Sequence, residues 1–470
     1  MTASLTTLTT ALDPAMLAEI PAGLPAHLPA GFPNARPAGG LAGFLDIPGA
    51  LCWIRRGEGL VAFGEVARFT GHGPTRFSDA EDWWKALLAA GAATGRVVDH
   101  IRMPGTGPLA FGSFAFSKTS AYDSTLIVPR LVLGLREGTV WLTQLSMDGT
   151  LPTAGSAHRE LAALLAGALT ADAGAAPALA GPAAASISMN GNDPHLATGS
   201  LTEQEWMDSV SAGVAAIATS GLEKVVLARD VVATLDSPIS RGAILRTLAD
   251  RYSECWTYGV GSLVGATPEM LIKVEGSRAQ ARVLAGTLDR QDEPDGATAF
   301  ASEVLGGSAK QRQEHDFAVR SLTRQLAPFA TDLSVPSEPF ILELPNVWHL
   351  ASDVSAELAG TGTHMPTSLA LVEALHPTAA VCGTPREAAG ELILELEKMD
   401  RGPYAGPVGW LDGAGNGEWG IALRGAVVED PVTVRLYAGA GIVEASDPAA
   451  ELAETWAKFR PMLQALGLHT

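Results

Sequence analysis

Cysteine is scarce. Its three copies, Cys52, Cys255 and Cys382, are too few and too scattered for a disulfide framework, so a reducing compartment is expected. No Cys or His pair has the spacing of a zinc ligand set. Positive charge is short too: 32 Lys and Arg face 51 Asp and Glu, a net charge of −19. That balance argues against nucleic acid or an anionic membrane surface as partner. An acidic chain that binds an anionic metabolite needs local compensation by Arg, Lys or a metal. Long apolar runs are missing, since none reaches the roughly 18 uninterrupted residues of a transmembrane helix. No basic residue precedes Arg36 and no continuous apolar core lies near the start, so no signal peptide is expected. Together these absences predict a soluble, cytoplasmic protein. No G-x-G-x-x-G leads from a strand into a helix, no Walker A motif is present, and no internal repeat stands out.

What is there is enough chain for a large core, 470 residues with 47% hydrophobic and 18% charged. Residues 1–40, rich in Pro, Ala and Gly (Pro14, Pro21, Pro25, Pro29, Pro33, Pro37), are expected to form a loosely ordered extension. Residues 41–195 carry short β-like runs (ALCWIRR, LVAFGEV, FGSFAF, STLIVPRLVLGL, TVWLTQL) and one helical segment, AEDWWKALLAAGAATG. The stretch 171–186, ADAGAAPALAGPAAAS, has the composition of a linker. Residues 196–470 begin with a helix over about 202–220, Thr202 serving as N-cap. Strands are expected at KVVLARDVVATL, WTYGVGSLVG, EMLIKVEGS, RAQARVLAGT and VWHLASDVSAEL. Helices are expected at SAKQRQEHDFAVRSLTRQLAPFA, TSLALVEAL and REAAGELILELEKM. Strand runs with helices set to one side predict an α+β sandwich rather than a βαβ repeat.

Arginine outnumbers lysine 25 to 7. Where Arg supplies general charge, a Lys draws attention as a group able to lose a proton. Lys224 shares a strand face with Val226 and Ala228, so it is either a desolvated general base or an edge-strand lysine reaching solvent. Glu269, in GATPEML, is either a general acid in a pKa-raising corner or a solvated turn residue. Glu451 and Glu454 lie three apart on the last helix, with Lys458 one turn further. Two acids at a helix start suggest a cation site, and Glu314 in AKQRQEHDF could complete an oxygen-rich Mg²⁺ set. Glu454 and Lys458 equally make an ordinary i,i+4 ion pair. His349 and His376 read as polar residues satisfied within packed structure, whereas Arg424 and Tyr404 could bind a carboxylate. Gly402, Gly406, Gly409, Gly439 and Gly441 allow tight turns or close approach of backbone to a ligand.

The order KVVLAR, GATPE, LAGT, AK-x-R-x-EH, HLAS, HPTAAVCGTP, DRGPYAGPVGW, YAGAGIV, ET-x-x-K closely resembles the chorismate-utilising enzymes, over residues 200–465 and more weakly over 45–150. The resemblance implies one large α+β chorismate-binding domain of two stacked antiparallel sheets with helices outside. Members using water carry a lysine where Lys224 stands, whereas members using ammonia carry glutamine. The aminodeoxychorismate branch carries a nucleophilic lysine where this chain has Ala285. By resemblance, then, Lys224 activates water for attack at C2 and Glu269 protonates the departing C4 hydroxyl. Mg²⁺ would be held by Glu314 and Glu454, with Glu451 nearby or acting through water. Thr287, His349, Tyr404, Arg424, the backbone of Gly439, Ala440 and Gly441, and Lys458 would bind substrate. Where some relatives carry an acid three residues before Glu314, this chain has Gln311. The implied activity is isochorismate formation from chorismate by a monomer, without nucleic acid or membrane partners. Salicylate formation is the alternative. The alanine-rich, arginine-heavy composition tilts the pathway to menaquinone over a catecholate-type siderophore.

Overall fold

Among the described residues strand-forming runs dominate and assemble into two sheets, one of thirteen strands and one of ten. The structure is a computed structural model and describes residues 4–14, 40–92, 97–174, 195–289, 303–345 and 347–468. Both sheets mix strands from before residue 150 with strands from after residue 195, so neither part of the chain completes a sheet alone. Neighbours pair antiparallel, as expected, except for one parallel pair at an end of the larger sheet.

That end holds a departure from expectation. Thr6–Leu12 (β1), inside the segment expected to be loosely ordered, is a strand paired with Thr139–Ser146 on one side and Val97–Asp99 on the other. Its TTLTTAL run has β-branched residues at Thr6, Thr7, Thr9 and Thr10 and buries Thr6, Thr7, Leu8, Thr9 and Leu12, with Leu5 buried just before it. The proline-rich signal starts only at Pro14, and residues 15–39 lie outside the described residues. The proposed linker falls partly there too, because 175–194 are not described and 171–174 close the helix Ala154–Gly174.

WTYGVGSLVG is not one strand but a hairpin, Trp256–Val260 and Leu263–Thr267, turned at Gly261, whose φ of +60° suits glycine. The elements that frame the site are β2 (Lys224–Thr234), β3 (Arg278–Asp289), β4 (Val347–Leu358), β5 (Gly425–Val428) and β6 (Thr433–Ile442). Four helices matter: α1 (Glu203–Thr219), α2 (Ala309–Leu326), α3 (Arg386–Glu397) and α4 (Pro448–Ala465). Thr202 caps α1 in a reciprocal capping box with Glu205.

The sheets stack through an aromatic-rich interior containing Trp53 and Trp141 of the larger sheet and Phe111, Trp410 and Trp419 of the smaller. Trp53 donates across the interface to Glu418 Oε2 at 2.8 Å, which satisfies both buried groups. Helices α1, α3 and α4 pack on the larger sheet, and α2 packs on β3 and β4 of the smaller. This is the expected α+β sandwich with helices outside.

Candidate active site

A gap in strand pairing opens the site. β2 runs beside β6 from Val225 to Thr234, but β5 covers the opposite edge of β6 only from Val434 to Leu436. Beyond Leu436 that edge has no strand neighbour among the described residues, and its peptide groups are left for other partners. A pocket forms there, lined by Tyr437, Gly439 and Gly441 of β6 together with Glu269, Arg424 and Lys458. Lys458 Nζ donates to the Gly439 carbonyl at 2.7 Å. A Cβ on Gly439 would stand 3.0 Å from Leu227 O, so a side chain fits poorly there. Ala440 does not line the pocket. Successive residues alternate faces, and its methyl joins Leu227 and Ile442 in the core beside α1.

Lys224 is 1% exposed and lies on an interior strand, with β6 on one side and Gly383–Thr384 on the other. It shares a face with Val226 and Ala228, which line the pocket. Its charge acts on Glu269. The alternative of an edge lysine reaching solvent therefore fails. Glu269 is 5% exposed, so the solvated-turn reading fails with it. Burial pushes its carboxyl up to about 8, against the opposing pull of Lys224 and Lys458. Near neutral pH it holds a proton that it can give away.

Arg424 takes a left-handed backbone, φ +49°, which turns its guanidinium inward. Its Nη2 lies 3.0 Å from His349 Nε2, and His349 Nδ1 lies 3.3 Å from Gly286 O. A carbonyl only accepts, so Nδ1 carries the imidazole proton and Nε2 accepts from the arginine. Burial, reinforced by Arg424 and Lys458, holds the His349 pKa well below its ordinary value and keeps the ring neutral. Arg424 Nη1 is buried with no hydrogen-bond partner among the described residues. A buried donor of that kind on a cation is a ready site for a carboxylate. Tyr404 lines the same pocket and stacks on Tyr437, ring centroids 5.2 Å apart and planes 11° apart. Burial raises its hydroxyl to about 12.

The last helix begins at Asp447, whose side chain accepts from Ala450 N, with Pro448 at the first turn. Glu451 is 4% exposed. Glu454 lines the pocket and accepts from Lys458 Nζ at 2.6 Å. Their ion pair is real, but it is partly buried and sits at the pocket rather than on open surface. The side chains of Thr287 and Glu314 lie outside the described set. The backbone nonetheless brings the start of α2 close: Gln311 Oε1 would stand 2.8 Å from a Cβ on Gly286, and Gly286 lines the pocket. Among the described residues no three Asp, Glu, His or Cys gather as a metal set. The carboxylates present are hard oxygen donors, which fits Mg²⁺ and not zinc.

Two residues escaped the sequence reading. Arg401 and Glu397 form a buried pair, Nη2 to Oε1 at 2.5 Å and Nε to Oε2 at 2.9 Å. Arg401 also donates to Val226 O and Val381 O, while Glu397 accepts from Ala228 N. The pair thereby clamps the pocket face of β2 to α3 and to the loop after His376. Its only local signal is the four-residue spacing E-x-x-x-R ahead of GPYAG.

A larger groove of about 830 Å³ opens elsewhere between the sheets. Its arginines are largely spoken for: Arg136 pairs with Glu275 and Glu418, Arg282 with Asp353, and Arg55 and Arg56 with Glu254. The smaller pocket, with its raised carboxyl and unpaired guanidinium nitrogen, is the better reaction site.

Comparison with known proteins shows the family. The family model described as chorismate binding enzyme matches residues 53–467. Isochorismate synthase DhbC of Bacillus subtilis is 40% identical over 276 residues, 56% of this chain and 68% of that protein. The salicylate biosynthesis isochorismate synthase of Pseudomonas aeruginosa is 32% identical over 427 residues, 88% of this chain and 84% of that one. A solved structure from Bacillus anthracis, described as a 2,3-dihydroxybenzoate-specific isochorismate synthase DhbC, superposes with a TM-score of 0.70 at 29% identity. It covers 91% of this chain and 100% of its own. With nearly the whole sandwich and its pocket inside the matched span, this chain belongs to the chorismate-binding enzyme family.

Proposed function

We propose that this chain is an isochorismate synthase, converting chorismate to isochorismate by adding water at C2 as the C4 hydroxyl leaves. The observation that carries this reading is a buried, proton-bearing glutamate lining the pocket within reach of the charge of a buried lysine on the adjoining strand face. Lys224 accepts a proton from the attacking water. Glu269 gives its proton to the departing C4 oxygen, so the hydroxyl leaves as water. Lysine at position 224 selects water over ammonia, and Ala285 leaves no lysine to attack the ring.

Arg424 offers its free Nη1 to the enolpyruvyl carboxylate, with Tyr404 and the backbone of Gly439 and Gly441 beside it. His349 fixes the guanidinium from behind. Glu314 and Glu454 would hold Mg²⁺, with Glu451 supporting them. The ion, when bound, supplies positive charge that anchors the ring carboxylate and offsets the acidic balance of the chain. Lys458, tied to Glu454 and Gly439 O, keeps this end of the helix against β6.

Incubation with chorismate and Mg²⁺, followed by chromatography, tests the reading. Isochorismate should accumulate and EDTA should stop it. Salicylate and pyruvate without isochorismate would reassign the chain as a salicylate synthase, and no Mg²⁺-dependent product from folded protein would make it a non-catalytic binder. Lys224→Ala should abolish turnover and leave chorismate binding measurable by calorimetry; a near-normal rate removes Lys224 as the base.

A further inference from the structure

Glu269 faces two spaces. In front lies the pocket already described. Behind it is a second, small space lined by Glu269, Thr378, Arg282, Met270, Ala318 and Leu322. Its volume, about 10 Å³ for the centre of a water, is at the lower end of the roughly 10–15 Å³ one molecule requires. Of the lining residues only Glu269, Arg282 and Thr378 carry polar side chains. Thr378 Oγ1 is buried and has no hydrogen-bond partner among the described residues. A polar, water-sized cavity with such a hydroxyl is a place where a buried water is favourable.

The cavity lies next to the large inter-sheet groove, parted from it by shared side chains. Met270 and Arg282 line both spaces. The charge of Arg282 is matched by Asp353 through bonds of 2.7 and 2.8 Å, so no unpaired cation bars a proton there. On its front side Glu269 faces Lys224, Lys458 and Tyr404.

We propose that one water, held between the Glu269 carboxyl and the Thr378 hydroxyl, returns a proton to Glu269 after each turnover, drawing it from the inter-sheet groove. The inference rests on the general-acid role assigned above. In the forward step the Glu269 O–H bond breaks, the C4 oxygen takes the proton, and Glu269 is left as carboxylate. The cavity water then transfers a proton to that carboxylate and recovers one from groove water. Lys224, which gained a proton from the attacking water, releases it to solvent, so the cycle consumes none. A back route matters because bound product covers the front of Glu269, and recharging from behind need not wait for its release. Thr378 is here a positioning residue, fixing the water through its hydroxyl.

Three measurements test this. A crystal structure of the wild-type protein should show an ordered water within hydrogen-bond distance of both Glu269 and Thr378 Oγ1. Thr378→Val, which keeps the branched shape and removes the hydroxyl, should lower kcat roughly 10-fold and enlarge its solvent deuterium isotope effect. Its KM should stay within about 2-fold. Thr378→Ser should restore kcat to within about 2-fold of wild type. A dry cavity, or a Thr378→Val enzyme with wild-type kcat and isotope effect, overturns the proposal. If Thr378→Val does not fold, the water and the isotope effect of Thr378→Ser, expected to match wild type, decide the matter. Wild-type enzyme that makes no isochorismate would instead sink the functional reading, while the water would still be judged by crystallography.

Discussion

At the scale of single residues, Glu269 governs both rate and stability. Donation requires its protonated form, and burial sets the folded pKa at about 8. kcat/KM should therefore fall as pH rises through about 8, which a pH–rate profile measures. The stability consequence has the opposite beneficiary. An unfolded glutamate loses its proton near about 4.3. Between that value and about 8 the folded state binds one more proton than the unfolded state, so stability falls as pH rises across this window. Glu269→Gln removes the cost: it should unfold at higher temperature than wild type at pH 7–8, the two converging towards pH 4, while turnover drops at least ~100-fold. Thermal scans across that pH range check the convergence. Arg424→Lys keeps the charge but loses the planar fork and the free Nη1, and should raise KM for chorismate about 10-fold in steady-state kinetics. The types of these residues were legible in the sequence because chemistry constrains them. Their burial was not, because exposure depends on strands far away in the chain: Lys224 looked like an edge lysine until β6 and Gly383–Thr384 flanked it.

At the scale of elements, periodicity served well wherever one face is apolar and the ends are marked. The helices at 203–219, 309–326 and 386–397 stand close to where spacing and Thr202 placed them. The sequence reading failed where one glycine decides, as at Gly261, since a single residue with positive φ turns an apparent long strand into a hairpin. It also missed the Glu397–Arg401 clamp, whose meaning lies in its partners Val226 O, Ala228 N and Val381 O and not in its own spacing. Both members are buried, so removing one leaves an uncompensated charge. Glu397→Gln should cost roughly 3–5 kcal/mol in urea unfolding. Because the clamp holds the strand that carries Lys224, kcat should fall with it; unchanged stability and rate would mean the strand needs no such hold.

At the scale of the whole molecule, motif order identified the family, and the family implied the sandwich. What motifs could not convey is how far the two parts of the chain depend on one another. Sheet pairings such as Thr6–Leu12 with Thr139–Ser146 span more than a hundred residues and leave no local signature. β1 fills the position between Thr139–Ser146 and Val97–Asp99, and Leu5, Leu8 and Leu12 in and beside it are buried. Deleting residues 1–13 would forfeit the burial of three leucines, on the order of 5 kcal/mol, and leave Thr139–Ser146 as an open edge. An uncovered edge rich in β-branched and aromatic residues invites pairing with another chain. The truncated protein should therefore melt at lower temperature and elute as larger species in size-exclusion chromatography. The pocket lies at the opposite end of this sheet's strand order, near β2 and β6. Whatever fraction stays monomeric should thus keep a near-normal KM for chorismate. A truncated protein with wild-type melting temperature would show that β1 decorates the sheet without holding it.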